Sequence, residues 1–292
     1  MSTIAVLKFG GLTLQGRDRF GPDEEGLLAQ CRAATSVNEM YRLIEERRNR
    51  ARAQRLRRIC SDYILPLTQV GTMPVVIVSA FDWATDKLQQ LAMCVHEQPD
   101  EREYARLLMS GELRANTALA MALHCMGCPA YSLTGREAGV LTSPQPVDAV
   151  IEHVEGMYLA QLVERGIVPV IAGFQGYYSD QATQREEVSV LGRGGSNLTA
   201  VAIAHALGQT ECVMLTNVDG LYDKDPNTYA DARKLDHIDG QQLLTWEPFP
   251  QVIQREAVEY ALRCGVDIWI RDGFDASARG TLIACRRPHP SH

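Results

Sequence analysis

Two short glycine clusters, each carrying one cation, hold the residues of this chain best suited to do chemistry. Lys8-Phe-Gly-Gly11 follows the apolar run Ile4-Ala-Val-Leu7, and Gly192-Arg-Gly-Gly-Ser196 lies inside the stretch 191–200. Glycine lets bare backbone approach an anion, and backbone N–H groups at such turns favour negative charge. In the first cluster Gly10 and Gly11 can expose N–H groups to phosphate oxygens while Lys8 supplies a point charge. A plain turn after a strand would also explain Gly10-Gly11. In the second cluster the Arg193 guanidinium can clamp a carboxylate through two parallel hydrogen bonds. Ser196 or Asn197 can cap the helix that follows, and capping alone would account for that pair.

The elements that must position these clusters read as β-rich runs alternating with helical patterns, the mark of a mainly parallel sheet covered by helices. Strands are expected at 4–8, 75–79, 130–133, 167–172, 212–216 and 267–270, and helices at 104–126, 157–164, 198–207 and 254–264. In such sheets ligands bind in the crevice beyond the strand C-termini. A chain of 292 residues with 46% hydrophobic and 22% charged content forms one large α/β domain or two lobes on one sheet. A net charge of −7 argues against a general nucleic-acid partner, and it makes Lys8 and Arg193 stand out as local cations. No apolar run reaches the roughly 18 residues of a membrane span and no leader pattern opens the chain, so a cytoplasmic setting is expected. The eight cysteines include Cys125-Met-Gly-Cys128, but no second pair or histidine stands at zinc spacing, so free thiols are expected. The arginine-rich stretch 45–58 is expected to be an amphipathic helix with a solvated basic face, and the tail 286–292 to fray.

Together the two clusters resemble the aspartokinase catalytic domain, in the amino acid kinase family. Further blocks extend the likeness almost to the C-terminus: Val76-Ile-Val-Ser-Ala80 with Thr85-Asp-Lys-Leu88, Leu108-Met-Ser-Gly-Glu112, the stretch 133–142, Met214-Leu-Thr-Asn-Val-Asp-Gly-Leu-Tyr-Asp-Lys-Asp-Pro226, and 251–261. The resemblance implies that Lys8 bridges nucleotide phosphate and the accepting carboxylate, with Arg193 holding the acid. It implies that Glu112 receives an α-ammonium, that Ser79 and Ser196 contact the acid, and that 133–142 borders its pocket. From position alone Glu112 could instead be a surface residue complementing a helix dipole, and Thr85 and Asp86 could simply cap a helix. Gly10, Gly11, Thr216, Asn217, Tyr222, Lys224, Asp225 and Gln251 fall on the nucleotide side.

The chain departs from the family pattern at four places. Leu12 and Thr13 replace Thr-Ser after the glycines, Asn197 and Asn217 replace aspartates, and Gln251 replaces a lysine. The aspartate matched by Asn197 commonly orients two phosphate-binding lysines in this superfamily, and no lysine follows Lys234. The losses at 197 and 251 therefore look paired, with Lys224 and Arg255 as candidate replacements. The resemblance implies an amino acid kinase fold, with an acid-binding lobe at 1–207 and an ATP-binding lobe at 208–292. It implies ATP and Mg²⁺ as cofactors, the ion held mainly by phosphates and water with no protein metal site. It also implies a homodimer. Against the aspartokinase pattern, no ACT regulatory domain is expected and an inserted helical element is expected within 17–58, while charge and hydropathy point to neither nucleic acid nor membrane as partner. The leading activity is phosphorylation of a carboxylate on aspartate or a close analogue. The alternatives are a degenerate ligand-binding or partner subunit of this fold and a kinase for an N-modified or specialised acid.

Overall fold

The computed structural model describes residues 3–16, 24–81 and 83–286; the start of the expected insertion (17–23) and the tail beyond Arg286 lie outside them. The strands are β1 (Thr3–Phe9), β2 (Thr72–Val78), β3 (Ala130–Leu133), β4 (Val140–Thr142), β5 (Ile151–Val154) and β6 (Val168–Ala172). They continue as β7 (Gln175–Asp180), β8 (Arg185–Val190), β9 (Glu211–Thr216), β10 (His237–Asp239), β11 (Asp267–Asp272) and β12 (Thr281–Ala284). The helices are α1 (Gly11–Gln15), α2 (Glu24–Ala33), α3 (Val37–Ile59), α4 (Leu65–Gln69) and α5 (Ala84–Val95). They continue as α6 (Glu101–Cys125), α7 (Met157–Glu164), α8 (Gly195–Ala206), α9 (Gly240–Leu244) and α10 (Arg255–Cys264). A π-helical turn, Cys60–Ile64, joins α3 to α4.

Eight strands form one sheet in the order β10-β12-β11-β9-β1-β2-β6-β3, and only the β11–β12 pair runs antiparallel. Alternation along the strands explains why helices cover both faces. Val6, Val75 and Ile77 point to a core shared with α7, α8 and α10, while Leu7, Phe9, Val76 and Val78 point to one built with α3, the π turn and α6. The sheet continues across the expected lobe boundary, because β1 pairs with β2 on one edge and β9 on the other.

A second sheet, ordered β5-β4-β7-β8, projects beyond the first. Its β7–β8 hairpin is fastened to α6 by Arg102, whose Nε donates to Glu187 Oε2 at 2.8 Å. The basic face of α3 is only partly solvated, contrary to expectation. Arg48 pairs with Glu45 near the surface, but Arg55 is buried against α1 and the loop after β11, because it lies four residues before the core residue Ile59 on the same stripe. All eight cysteines are free of disulfides, and no helix of the described residues is long and apolar enough to cross a membrane.

Candidate active site

A cleft of about 600 Å³ opens at the C-terminal ends of β1, β2 and β8 and is lined by Lys8, Gly11, Ser79, Glu112, Arg193, Ser196 and Asn197. Its volume falls within the range of small-molecule sites. Other walls come from Thr85 and Asp86 in the first turn of α5, from Tyr104 and Leu108 on α6, and from Val147, Asp148, Phe174 and Gln254. The cleft thus gathers residues spread from position 8 to position 254.

Lys8, the next-to-last residue of β1, reaches the cleft and is 9% exposed. Burial pulls its ammonium down to about 8. Among the described residues no carboxylate pairs with it. Gly11 lines the cleft, but the Gly10 N–H already donates to Leu215 O at 3.0 Å and is not offered to a ligand, contrary to the sequence expectation. Thr13 is wholly buried and its hydroxyl faces Leu215 O, so the altered Thr-Ser position presents no hydroxyl to the cleft.

Glu112 lies in the middle of α6, not at its start, and is 3% exposed. The Ala80 N–H donates to its Oε1 at 3.1 Å, while Oε2 is buried without a partner. Burial raises this carboxyl to about 7, and the Ala80 hydrogen bond opposes the rise only in part. A dipole-complementing surface role is therefore ruled out. Three buried side-chain N/O atoms among the described residues lack partners, and two of them, Glu112 Oε2 and Asn197 Oδ1, belong to residues of this cleft. Native folds satisfy nearly all such groups, so two orphaned atoms in one cleft single it out as the candidate site.

The helix after the second glycine cluster begins differently from expectation. Gly194 occupies the N-cap of α8 with φ +79°, and neither Ser196 nor Asn197 caps it. Both sit inside the helix with other partners: Ser196 Oγ lies 2.7 Å from Ser79 Oγ, and Asn197 Nδ2 donates to Gln254 Oε1 at 2.7 Å. The left-handed backbone at 194 favours glycine, and an added Cβ would also have to displace the Gln254 side chain, whose Cδ would lie 2.0 Å away. Arg193 is exposed at the rim of the cleft.

Gln251 is exposed and does not line the cleft; Gln254 does. The intervening Ile253 is in the core, which turns Val252 and Gln254 toward the cleft. The neutral partner of Asn197 is thus Gln254, a residue missed by sequence reasoning, which could not fix the register of this segment. Neither candidate replacement cation is in place. Lys224 pairs with Asp231 at 2.6 Å, and Arg255 bonds Leu244 O at 2.5 Å and Glu247 Oε1 at 3.0 Å. None of residues 133–142 lines the cleft; the loop carrying Val147 and Asp148 takes that place.

The remaining nucleotide-side candidates lie outside the cleft, around the end of β9. Thr216 donates to Asn217 Oδ1 at 3.2 Å. Tyr222 donates to Asp219 Oδ1 at 3.1 Å and forms a bridge with Lys234. The Asp225 carboxylate closes its own turn onto Asn227 N and Thr228 Oγ1, which holds it below the usual carboxylate range. No group of three or more His, Cys, Asp or Glu residues among those described could hold a metal ion.

Comparison with known proteins places these features in a family. The model of the amino acid kinase family matches residues 3–287. The aspartokinase of Helicobacter pylori is 37% identical over 225 residues, covering 77% of this chain and 54% of that protein. The aspartokinase of Mycobacterium tuberculosis is 38% identical over 234 residues, covering 80% and 54%. Among solved structures, aspartate kinase from Synechocystis superposes with a TM-score of 0.73 at 25% identity, covering 99% of this chain and 41% of that one. The chain spans about half the length of the aspartokinases it matches.

Proposed function

Because the chain belongs to the amino acid kinase family, we propose that it transfers the terminal phosphoryl group of ATP to a carboxylate of aspartate or a close analogue. The observation that carries this reading is the buried Glu112 with its unpartnered Oε2, set in one cleft with Lys8 and Arg193. An amino dicarboxylic acid offers an ammonium to Glu112 and a carboxylate to Arg193, leaving its second carboxylate to face Lys8. Ser79, Ser196 and Asn197 complete the acid side. The fold division is part of the same proposal: 1–207 carries the acid, and the ATP side of 208–292 is shaped by Thr216, Asn217, Tyr222, Lys224 and Asp225.

In the reaction a carboxylate oxygen attacks the terminal phosphorus, a new P–O bond forms, and the bond to ADP breaks. No general base is needed, since a free carboxyl with pKa near ~4 is already ionised. The obstacle is the meeting of two anions while charge spreads over the transferring group. Lys8 lowers it as a preorganised cation in a desolvated setting. Mg²⁺ would arrive with the nucleotide, held by phosphates and water, and would neutralise phosphate charge. Free thiols throughout support a reducing, cytoplasmic setting, and homodimer assembly belongs to the same proposal.

A second reading is a degenerate member that binds without turnover. The neutral Asn197–Gln254 pair and the engagement of Lys224 and Arg255 elsewhere favour it. Hydroxylamine trapping across a panel of amino and dicarboxylic acids with MgATP separates the two. Hydroxamate from aspartate or an analogue supports the kinase; saturable acid and nucleotide binding with no hydroxamate assigns the degenerate role.

A further inference from the structure

Arg55 belongs to the basic stretch that the sequence assigns to a solvated helix face, yet it is 9% exposed. Its Nε donates to Thr13 O at 2.7 Å and its Nη2 donates to Gly273 O, while the Phe274 ring lies 4.3 Å from the guanidinium carbon. The Thr13 carbonyl belongs to the short helix α1, which begins at the cleft-lining Gly11, and the Gly273 carbonyl to the loop just after β11. Helix α1 has only five residues, so its last carbonyls lack partners within the helix, and a cation there also suits the helix dipole.

The same junction is tied from the other side. Gly10 N donates to Leu215 O at 3.0 Å, Thr13 Oγ1 to the same carbonyl at 3.3 Å, and Gly273 N to Thr216 O at 2.7 Å. Gly273 and Thr13 touch so closely that a Cβ on Gly273 would stand 2.2 Å from Thr13 Cγ2. Tyr63, in the π-helical turn after α3, donates to Asp272 O at 3.1 Å. The loop after β1 and the ends of β9 and β11 therefore meet at one point, and a single planar guanidinium holds two of them.

We propose that Arg55 is a positioning residue for phosphoryl transfer, locking the loop that carries Gly11 against the strand ends on the nucleotide side. This rests on the kinase reading above. Arg55 is not among the residues lining the cleft, so it acts through the loop. Its two donors diverge toward two carbonyls, a geometry that the single ammonium of lysine does not reproduce.

The test compares wild type, Arg55→Ala and Arg55→Lys by direct titration with MgATP and, separately, with aspartate, alongside thermal unfolding. Arg55→Ala is expected to weaken MgATP binding about 10- to 100-fold, the effect of losing a charge-assisted hydrogen bond, with aspartate binding little changed. Low-millimolar guanidinium should restore much of the MgATP affinity, and Arg55→Lys should remain impaired. Wild-type MgATP affinity in Arg55→Ala overturns the proposal. So does parallel loss of both ligands without guanidinium rescue, which would mean a merely structural role. If Arg55→Ala does not fold, Arg55→Lys carries the comparison: wild-type MgATP affinity there overturns the two-carbonyl argument. A wild-type protein that binds no nucleotide sinks the kinase reading instead. In that event the amide resonances of Gly10 and Gly11, compared between wild type and Arg55→Lys, still report whether Arg55 holds the loop; unchanged shifts overturn it.

Discussion

On the side of the cleft proposed to take the acid, two buried side chains are left short of partners, whereas on the proposed nucleotide side each named side chain is committed within its own loop. Glu112 and Asn197 each keep a buried atom without a hydrogen bond. Tyr222, Lys224 and Asp225, by contrast, bond Asp219, Asp231 and the turn Asn227–Thr228. Unpartnered buried atoms in the first region cost stability until a polar group meets them; the contacts of the second fix the shape of a loop. Substitutions on the acid side should therefore change chemistry and recognition, and those on the nucleotide side should act mainly through loop geometry.

Lys8→Ala should have the largest effect, lowering kcat by roughly 10²–10³ as for other preorganised transition-state donors. Acid binding measured without nucleotide should barely move; if it falls in step with kcat, Lys8 belongs to ground-state recognition instead. Arg193→Ala should raise the acid's KM roughly 10- to 100-fold. Unchanged acid affinity in that variant would remove the carboxylate clamp.

The comparison also predicts a pH profile. Glu112 accepts an ammonium only as a carboxylate, so recognition should strengthen as pH rises through about 7. Lys8 acts only when protonated, so activity should fall as pH passes about 8. The resulting bell in kcat/KM should lose its acidic limb in Glu112→Gln. A raised carboxyl favours the fold while protonated and loses that contribution as pH climbs from about 4.5 to about 7. Glu112→Gln should therefore unfold at a higher temperature than wild type at pH 8.

Smaller effects sharpen the boundary between the two regions. Asn197→Asp combined with Gln254→Lys should show coupling in ATP affinity of about 1 kcal/mol, since the side chains touch. The same cycle with Gln251→Lys should be additive, and coupling there instead would restore the register read from the sequence. Lys224→Met should change activity by less than about threefold, because its ion pair is solvent-exposed. A severe loss would show that Lys224 leaves Asp231 to reach the phosphates.

Much of this was legible because elements bounded by proline or glycine announce themselves, as with Pro129 before β3 and Gly156 before α7. The expected strand 130–133 and helix 157–164 coincide with β3 and α7, and the family blocks locate most of the cleft. The start of α8 was misjudged because the helix is buried nearly all round, so periodicity gives no edge and Ser196-Asn197 imitate a cap. The second sheet is absent from the sequence expectations, since β4 and β5 have three and four residues and β8 opens with Arg-Glu-Glu. Gln254 was hidden by its resemblance to Gln251 at three residues' distance. Arg55 was hidden by its charge, although its spacing from Ile59 already placed it on the buried stripe.

The double pairing of β1 has a mechanical consequence. A strand with both edges laced into parallel ladders cannot act as a hinge, because swinging one half of the molecule against the other would break one ladder or the other. Closing around a ligand must fall to the rim of the cleft, while Lys8 stays on a strand held along both edges. Amide exchange should accordingly be slowest along β1, and binding of acid or nucleotide should slow it first at the rim.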